Sequence, residues 1–352
     1  MATPAAPPAV AEETGAPLPE RRARGTVRQT AVAVVAVVLL AGSVAASLML
    51  GAVHVPLGTV VDALRGTADD GPLKEIVLQL RLPRTVSAIC VGAALGVAGA
   101  LLQGALANPL ASPDVIGVTG GAAFGAMLVL LAFPGSMALL PVGALAFGLL
   151  AAGIVFAIAW AGVNRGSISR LILAGIAISA LFSAGTMTLM TAYPDRVQSA
   201  IFWMAGGISS TGWEDMSAVW PYFLAGFALA VLLPRPLDRL ALGDDVAASL
   251  GSRPAVIRLV AGLAAAFLAA SAAAIAGLVT FIGLVIPHLV RMAGGTSRHG
   301  YVIPVSAVAG AALLTAGDTL ARVLMAPKEL PVGPFMVVLG VPLFLWLLRK
   351  AT

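Results

Sequence analysis

Along the chain, apolar runs of about 20 residues alternate with short stretches that hold charge, proline or glycine. The runs fall near 31–53, 85–106, 115–133, 137–162 and 168–192, then near 216–233, 256–275, 276–293, 301–320 and 333–349. Lipid offers backbone N–H and C=O groups no partner, so only helices and closed barrels span it. Barrel strands alternate apolar and polar positions over about ten residues, whereas these runs are continuous and rich in Ala, Leu and Gly. The pattern predicts an all-α polytopic membrane protein with about ten transmembrane helices. Two divisions rest on uncharged turns, Phe133-Pro134-Gly135 and Ile275-Ala276-Gly277, and the count depends on both.

Composition points the same way. The chain is 59% hydrophobic and 11% charged, against about 25% charged for a soluble domain. Twenty-one Lys and Arg and 16 Asp and Glu are too few to build a polar shell around a soluble core of 352 residues. Residues 1–29 break the pattern, mixing Ala and Pro with Glu12, Glu13 and Glu20 before Arg21, Arg22, Arg24 and Arg28. They read as a disordered cytoplasmic tail, and 30–352 as a single transmembrane domain. The first run, Ala31 to Val53, is too long for a signal-peptide core and lacks a small-residue cleavage site, so it reads as a retained anchor. An N-terminus in the cytoplasm puts fourteen Lys and Arg inside and seven outside, as the positive-inside rule expects of a multi-pass protein of the cytoplasmic membrane. Both termini are then cytoplasmic. The net charge of +5 is spread over loops rather than gathered in a stripe, which argues against nucleic acid and leaves membrane lipid as the surroundings. Glycines at helical spacing, Gly92 and Gly96, then Gly117, Gly121 and Gly125, allow close packing of helices, first within one bundle and alternatively at a subunit interface.

Several chemistries lack their residues. No G-x-x-x-x-G-K-S/T phosphate loop occurs, so the chain does not hold ATP in the usual way. The three histidines, His54, His288 and His299, form no ligand cluster, and Cys90 lies alone in an apolar run. No catalytic or metal-ligating constellation is expected. The spans hold essentially one acid, Asp318, with Arg322 four residues on, and this spacing predicts a structural pair near the outer surface.

Four loop segments have more character than connections require. Arg81-Leu82-Pro83-Arg84 precedes the second span, where Pro83 is expected to fix a turn that displays two guanidiniums outside. These suit either lipid headgroups or a carboxylate-bearing partner. Asn108-Pro109-Leu110-Ala111-Ser112-Pro113-Asp114 makes a rigid reversal at the inner end of that span. Within the cytoplasmic segment 234–255, Leu240 to Gly251 predicts a very short helix that starts at Asp and stops at Gly, and a helix this short gains from a second protein packed on it. Glu329-Leu330-Pro331-Val332-Gly333 is a turn presenting charge outside.

Together these segments resemble the FecCD family of ABC importer permeases, which move iron siderophores, heme and cobalamin. RLPR (81–84), GALLQGALANPLASPDVIG (99–117), LALGDDVAASLG (240–251), GLVIPHLVR (283–291) and ELPVG (329–333) occur in the family's order and spacing, across most of the chain from Arg81 to Leu348. The resemblance implies a cobalamin-permease-like bundle of ten spans, paired with a second permease subunit around one pathway. It also implies two cytoplasmic ABC ATPase subunits that hold ATP and Mg, no cofactor on this chain, and an extracytoplasmic substrate-binding protein. By the same resemblance Arg81, Arg84 and Arg322 receive acidic residues of the docked binding protein. Leu242, Gly243, Asp244, Ala247 and Gly251 carry ATPase closure into the bundle, and Asn108 and Leu110 line a cytoplasmic gate. A second constriction falls on Ile168 and Ser169, where Ile168 departs from a pair of small hydroxyl residues. The phrase SPDVIG (112–117) favours a heterodimer over a homodimer and a siderophore over heme or cobalamin.

The implied function is passage of an iron-siderophore complex through a wall of small apolar side chains, with no enzymatic activity of the chain's own. An ion-coupled secondary transporter needs ionisable or discontinuous sites at the midplane, and a membrane-embedded enzyme needs acid, base or metal groups inside the spans. This sequence offers little of either.

Overall fold

The computed structural model describes residues 18–68, 71–161, 166–208, 211–326 and 328–351. Its helices in chain order are α1 (Leu18–Met49), α2 (Leu57–Arg65), α3 (Pro72–Ala105), α4 (Val118–Ala132), α5 (Leu140–Trp160), α6 (Ile168–Ala192) and α7 (Val197–Met204). They continue as α8 (Trp213–Val231), α9 (Pro234–Leu240), α10 (Asp244–Ser249), α11 (Pro254–Ala276), α12 (Ile282–Gly294), α13 (His299–Leu324) and α14 (Val332–Ala351). Among the described residues there is no strand.

Each of the ten expected spans falls on one helix: α1, α3 to α6, α8 and α11 to α14. Among the described residues, six are long and apolar enough to cross a membrane by length and composition alone, and α8 with α9 makes a seventh if the pair is one span, bent by 54°. Both uncertain divisions hold. Phe133 leaves helical backbone after α4 with φ −128°, and Gly277 ends α11 at φ +63°, a conformation other residues rarely adopt.

Two expectations need correction. Residues 1–17 of the expected tail lie outside the described residues; helix α1 begins at Leu18, and its span-like part at Gly25, so the helix of the first span reaches back into 18–29. The RLPR segment is not a turn either. Helix α3 runs through it from Pro72, widening into a π-helical stretch at Ile76–Arg81 just before Pro83. Pro83 then occupies the first turn of the following α-helical stretch, where its missing N–H and fixed φ are tolerated.

Helix α3 is the axis of the bundle, and α11, α12 and α13 pack along it. Every residue from Ala94 to Gln103 is buried, which is why the stretch shows no amphipathic period. The expected small-residue packing is internal to the chain. A Cβ on Gly92 would lie 2.4 Å from Gly310 O, one on Gly96 2.3 Å from Ser306 O, and one on Gly99 1.8 Å from Gly283 O. Gly121 and Gly125 make the same kind of backbone contact between α4 and α5. Helix α1 packs on α13 at the periphery and turns Val34, Val35, Val37, Val38 and Leu39 outward, a face that suits lipid.

Candidate functional site

The sequence-predicted residues gather at the two ends of α3. Arg81 and Ala105 are separated by roughly 36 Å at about 1.5 Å per residue, somewhat more than the ~30 Å hydrocarbon layer.

The arginine end is built from the last turns of α1 and α13, the π-helical stretch of α3, and the turn at 329–333. The final carbonyls of a helix lack partners within it, and two guanidiniums take those of α1. Arg81 Nη1 donates to Leu48 O at 2.7 Å, and Arg322 Nη2 to Ser47 O at 2.8 Å. Arg81 Nη2 also donates to Val53 O. Positive charge is favoured at this end of a helix. Arg84 turns instead to two carboxylates. Its Nε and Nη2 donate to the two oxygens of Asp318 at 2.8 and 2.9 Å, and its Nη1 to Glu329 Oε2 at 2.8 Å. The pair expected between Asp318 and Arg322 is therefore replaced. A fork-on-fork Arg84–Asp318 pair takes both carboxylate oxygens, whereas a pair at i and i+4 gains only a few tenths of a kcal/mol.

Nor are the arginines displayed. Arg81 is 5% exposed, and Arg84 and Arg322 are 7% exposed, because a helix rather than a turn carries 81–84 and points them across the bundle. All three line one cleft of about 450 Å³. Arg322 Nε is buried there with no hydrogen-bond partner. Three guanidiniums face two carboxylates, so the cluster carries excess positive charge. Beyond Arg84, Asp318 and Glu329 lies a second cavity of about 580 Å³, lined also by Phe202, Trp203 and Asp215.

At the opposite end, α10 is the short helix expected from Leu240 to Gly251. Gly243 at φ +99° and Gly251 at φ +76° bracket it. Ala247 is fully buried. Leu242, Val246 and Leu250 are 60%, 46% and 55% exposed; Val246 lies on this helix of six residues, and Leu242 and Leu250 flank it. Asp244 is paired, both of its oxygens accepting from Arg258 Nη1 and Nη2 at 2.8 and 2.7 Å.

The segments expected to form a gate lie at the same end. Helix α3 closes in a Schellman arrangement, with Asn108 N–H donating to Gln103 O at 3.1 Å and Ala107 N–H to Gly104 O at 3.4 Å. Ala107 holds the left-handed position at φ +46° that glycine usually fills. Asn108 Oδ1 then accepts from Leu110 N–H at 2.9 Å, and Leu110 is exposed. Ile168 and Ser169 begin α6, Ile168 half-buried and Ser169 exposed. The helical turn Pro113–Ile116 bridges the two segments, its Val115 carbonyl lying against Gly175 of α6.

Sequence reading missed Arg258, Asp238, His299 and Gln103, which tie this end together, and the exposed apolar residues Val246 and Leu250. The last two had a signal in their spacing. The others are brought to α3 and to one another largely by tertiary contacts, such as those between residues 61, 153 and 180 positions apart. Among the described residues no three His, Cys, Asp or Glu side chains gather as a metal site.

The profile of the FecCD transport family matches residues 38–350. The chain is 38% identical to the Fe(3+)-citrate import system permease protein YfmE of Bacillus subtilis (strain 168), over 91% of this chain and 94% of that one. It is 38% identical to the Iron(3+)-hydroxamate import system permease protein FhuB of the same organism, over 86% of this chain and 79% of the relative. Among solved structures, an inward-facing conformation of a metal-chelate type ABC transporter superposes with a TM-score of 0.80 at 31% identity, covering 91% of this chain and 99% of that one. This multi-pass membrane protein belongs to the FecCD transport family.

Proposed function

We propose that the chain is the membrane-spanning subunit of an importer for a ferric chelate, worked by separate ATPase subunits in the cytoplasm and supplied by a binding protein from outside. The observation that carries this reading is the polarity of the bundle: a cationic cleft at one end of α3, three exposed apolar side chains on and beside a short helix at the other, and a buried, mostly apolar stretch of α3 between.

The cleft suits a carboxylate. Arg81, Arg84 and Arg322 already sit in place, and Arg322 Nε has a donor to give. Glu329, with a side chain 42% exposed, is the group that an incoming acid would displace from Arg84. The side chains of Leu242, Val246 and Leu250 suit a groove on an ATPase, with Gly243, Asp244, Ala247 and Gly251 setting the turn and its attachment. Asn108 and Leu110 form the gate facing the ATPases, with Ile168 and Ser169 beside them. The arginine end then faces outward, the α10 end and both termini are cytoplasmic, and ATP and Mg belong to the partner subunits. A second, sister permease completes the pathway.

The cargo assigned here is an iron-siderophore complex or ferric citrate, by analogy with the relatives. The test is reconstitution in proteoliposomes with the source organism's candidate binding protein, ATPase and second permease, measuring uptake of ferric citrate, ferric hydroxamates, hemin and cobalamin. ATP-dependent uptake of a ferric chelate is expected. Uphill transport by this chain alone, with no ATPase, would overturn the reading.

A further inference from the structure

The inner end of α3 is held by three neighbours at three consecutive residues. Gln103 Nε2 donates to the carbonyls of Gly283 and Leu284 on α12, at 3.2 and 3.1 Å. Gly104 faces the ring of His299, the first residue of α13, so closely that a Cβ would lie 2.4 Å from Nε2. Ala105 O, a last-turn carbonyl with no partner inside the helix, accepts from Arg258 Nε at 3.1 Å.

Two of these neighbours are themselves gripped from the segment 234–251. Asp238 of α9 takes both the backbone N–H and Nδ1 of His299 on one oxygen, each at 2.8 Å. Asp244 of α10 takes the two terminal nitrogens of Arg258. Carboxylates six residues apart on the ATPase-facing segment therefore reach adjacent residues of α3, one through an imidazole and the other through a guanidinium. His299 and the Arg258 side chain are both buried. Parting either pair leaves a buried polar group unsatisfied, which is unfavourable compared with both elements moving together. Directly after Ala105 comes the Schellman closure, whose hydrogen bonds fix Ala107 and Asn108 to this same turn.

We infer that Arg258 and His299 are positioning residues that carry displacement of α9 and α10 to the loop 106–112. They set the gate by moving the end of α3 and touch no cargo. This inference rests on the proposed function, since it assumes a motor acting on α10. Arg258 has the more specific task because one side chain caps α3 and holds α10 at once.

The assembled transporter, with Cys90→Ser and Leu110→Cys in this chain, is labelled with N-ethylmaleimide with and without the ATP analogue adenylyl imidodiphosphate. The ratio of the two rates reads the gate. Two variants are compared, Arg258→Lys and the exchanged pair Asp244→Arg with Arg258→Asp. Exchange keeps the ion pair but leaves nothing at 258 to donate to Ala105 O. Retention of the ATPase subunits is measured alongside. The expected result is that the ratio falls by about tenfold in both variants, with the ATPase retained by Arg258→Lys. If the exchanged pair restores the full ratio, the pair merely anchors α10 and the inference is overturned. A variant that sheds the ATPase is replaced by His299→Gln, read by the same ratio, and an unchanged ratio there overturns the inference too. If the parent protein captures no ATPase, the proposed function itself fails, which is a different outcome from any difference between variants.

Discussion

Replacing Asp318 with Asn keeps the shape of the side chain and removes the charge that holds Arg84. Arg84 and Asp318 have side chains 8% and 3% exposed, so neither can recover its loss from water. Breaking a buried pair by neutralising one partner costs about 3–5 kcal/mol. Glu329 stays on Nη1, which puts Asp318→Asn near the lower figure, about 3 kcal/mol. Arg84→Gln strands Asp318 completely and belongs at the upper figure. The double variant leaves two neutral amides facing each other and should lose less than the sum by about 2–3 kcal/mol, the upper part of the range for groups in direct contact. Thermal melting in detergent, followed by tryptophan fluorescence, reads these differences. Each single variant should lower the midpoint by roughly 5–10 °C. A parallel cycle between Asp318→Asn and Arg322→Gln should give a clearly smaller interaction, since those two share no hydrogen bond. Strong coupling to Arg322 with none to Arg84 would refute the assignment of the ion pair.

Other variants probe the remaining features. Gly99→Leu drives a side chain into Gly283 O, 1.8 Å from the Cβ position; it should destabilise by about 3 kcal/mol or more, and a wild-type melting point would rule out the backbone contact. Arg81→Glu with Arg84→Glu should abolish capture of the loaded binding protein, measured by its affinity for the reconstituted transporter, and unchanged affinity would remove the cleft from docking. Leu242→Asp with Leu250→Asp should leave the stability within about 0.5 kcal/mol of wild type, as exposed substitutions do, while lowering recovery of the ATPase on affinity purification. Gly243→Trp cannot keep φ +99° without strain and should let ATP hydrolysis continue without uptake, whereas normal uptake would show that the turn is not needed.

How far the structure was legible depends on the range over which its causes act. Span positions came from local hydropathy, and all ten lie on helices because lipid enforces hydrogen bonding within each segment. The helix at 244–249 was legible because Gly243, Asp244 and Gly251 are local stop and start signals. The RLPR segment misled for an equally local reason. Pro83 signals a break, but the widened helix before it absorbs the defect, and a π-helical stretch has no sequence signature. Asp318 misled because its true partner is 234 residues away. The Arg258 and His299 contacts were invisible for the same reason, being specified only once α3, α9 to α11 and α13 have packed.

The glycine contacts along α3 have a mechanical consequence. Where two backbones touch with no side chains between them, there are no rotamers to switch, and a slip of one residue would drive an alanine or valine methyl into a carbonyl. Helices α3, α12 and α13 therefore travel as a keel. Any rocking that opens first one mouth and then the other has to be supplied by the remaining helices swinging about it, with flexure confined to the keel's two extremities.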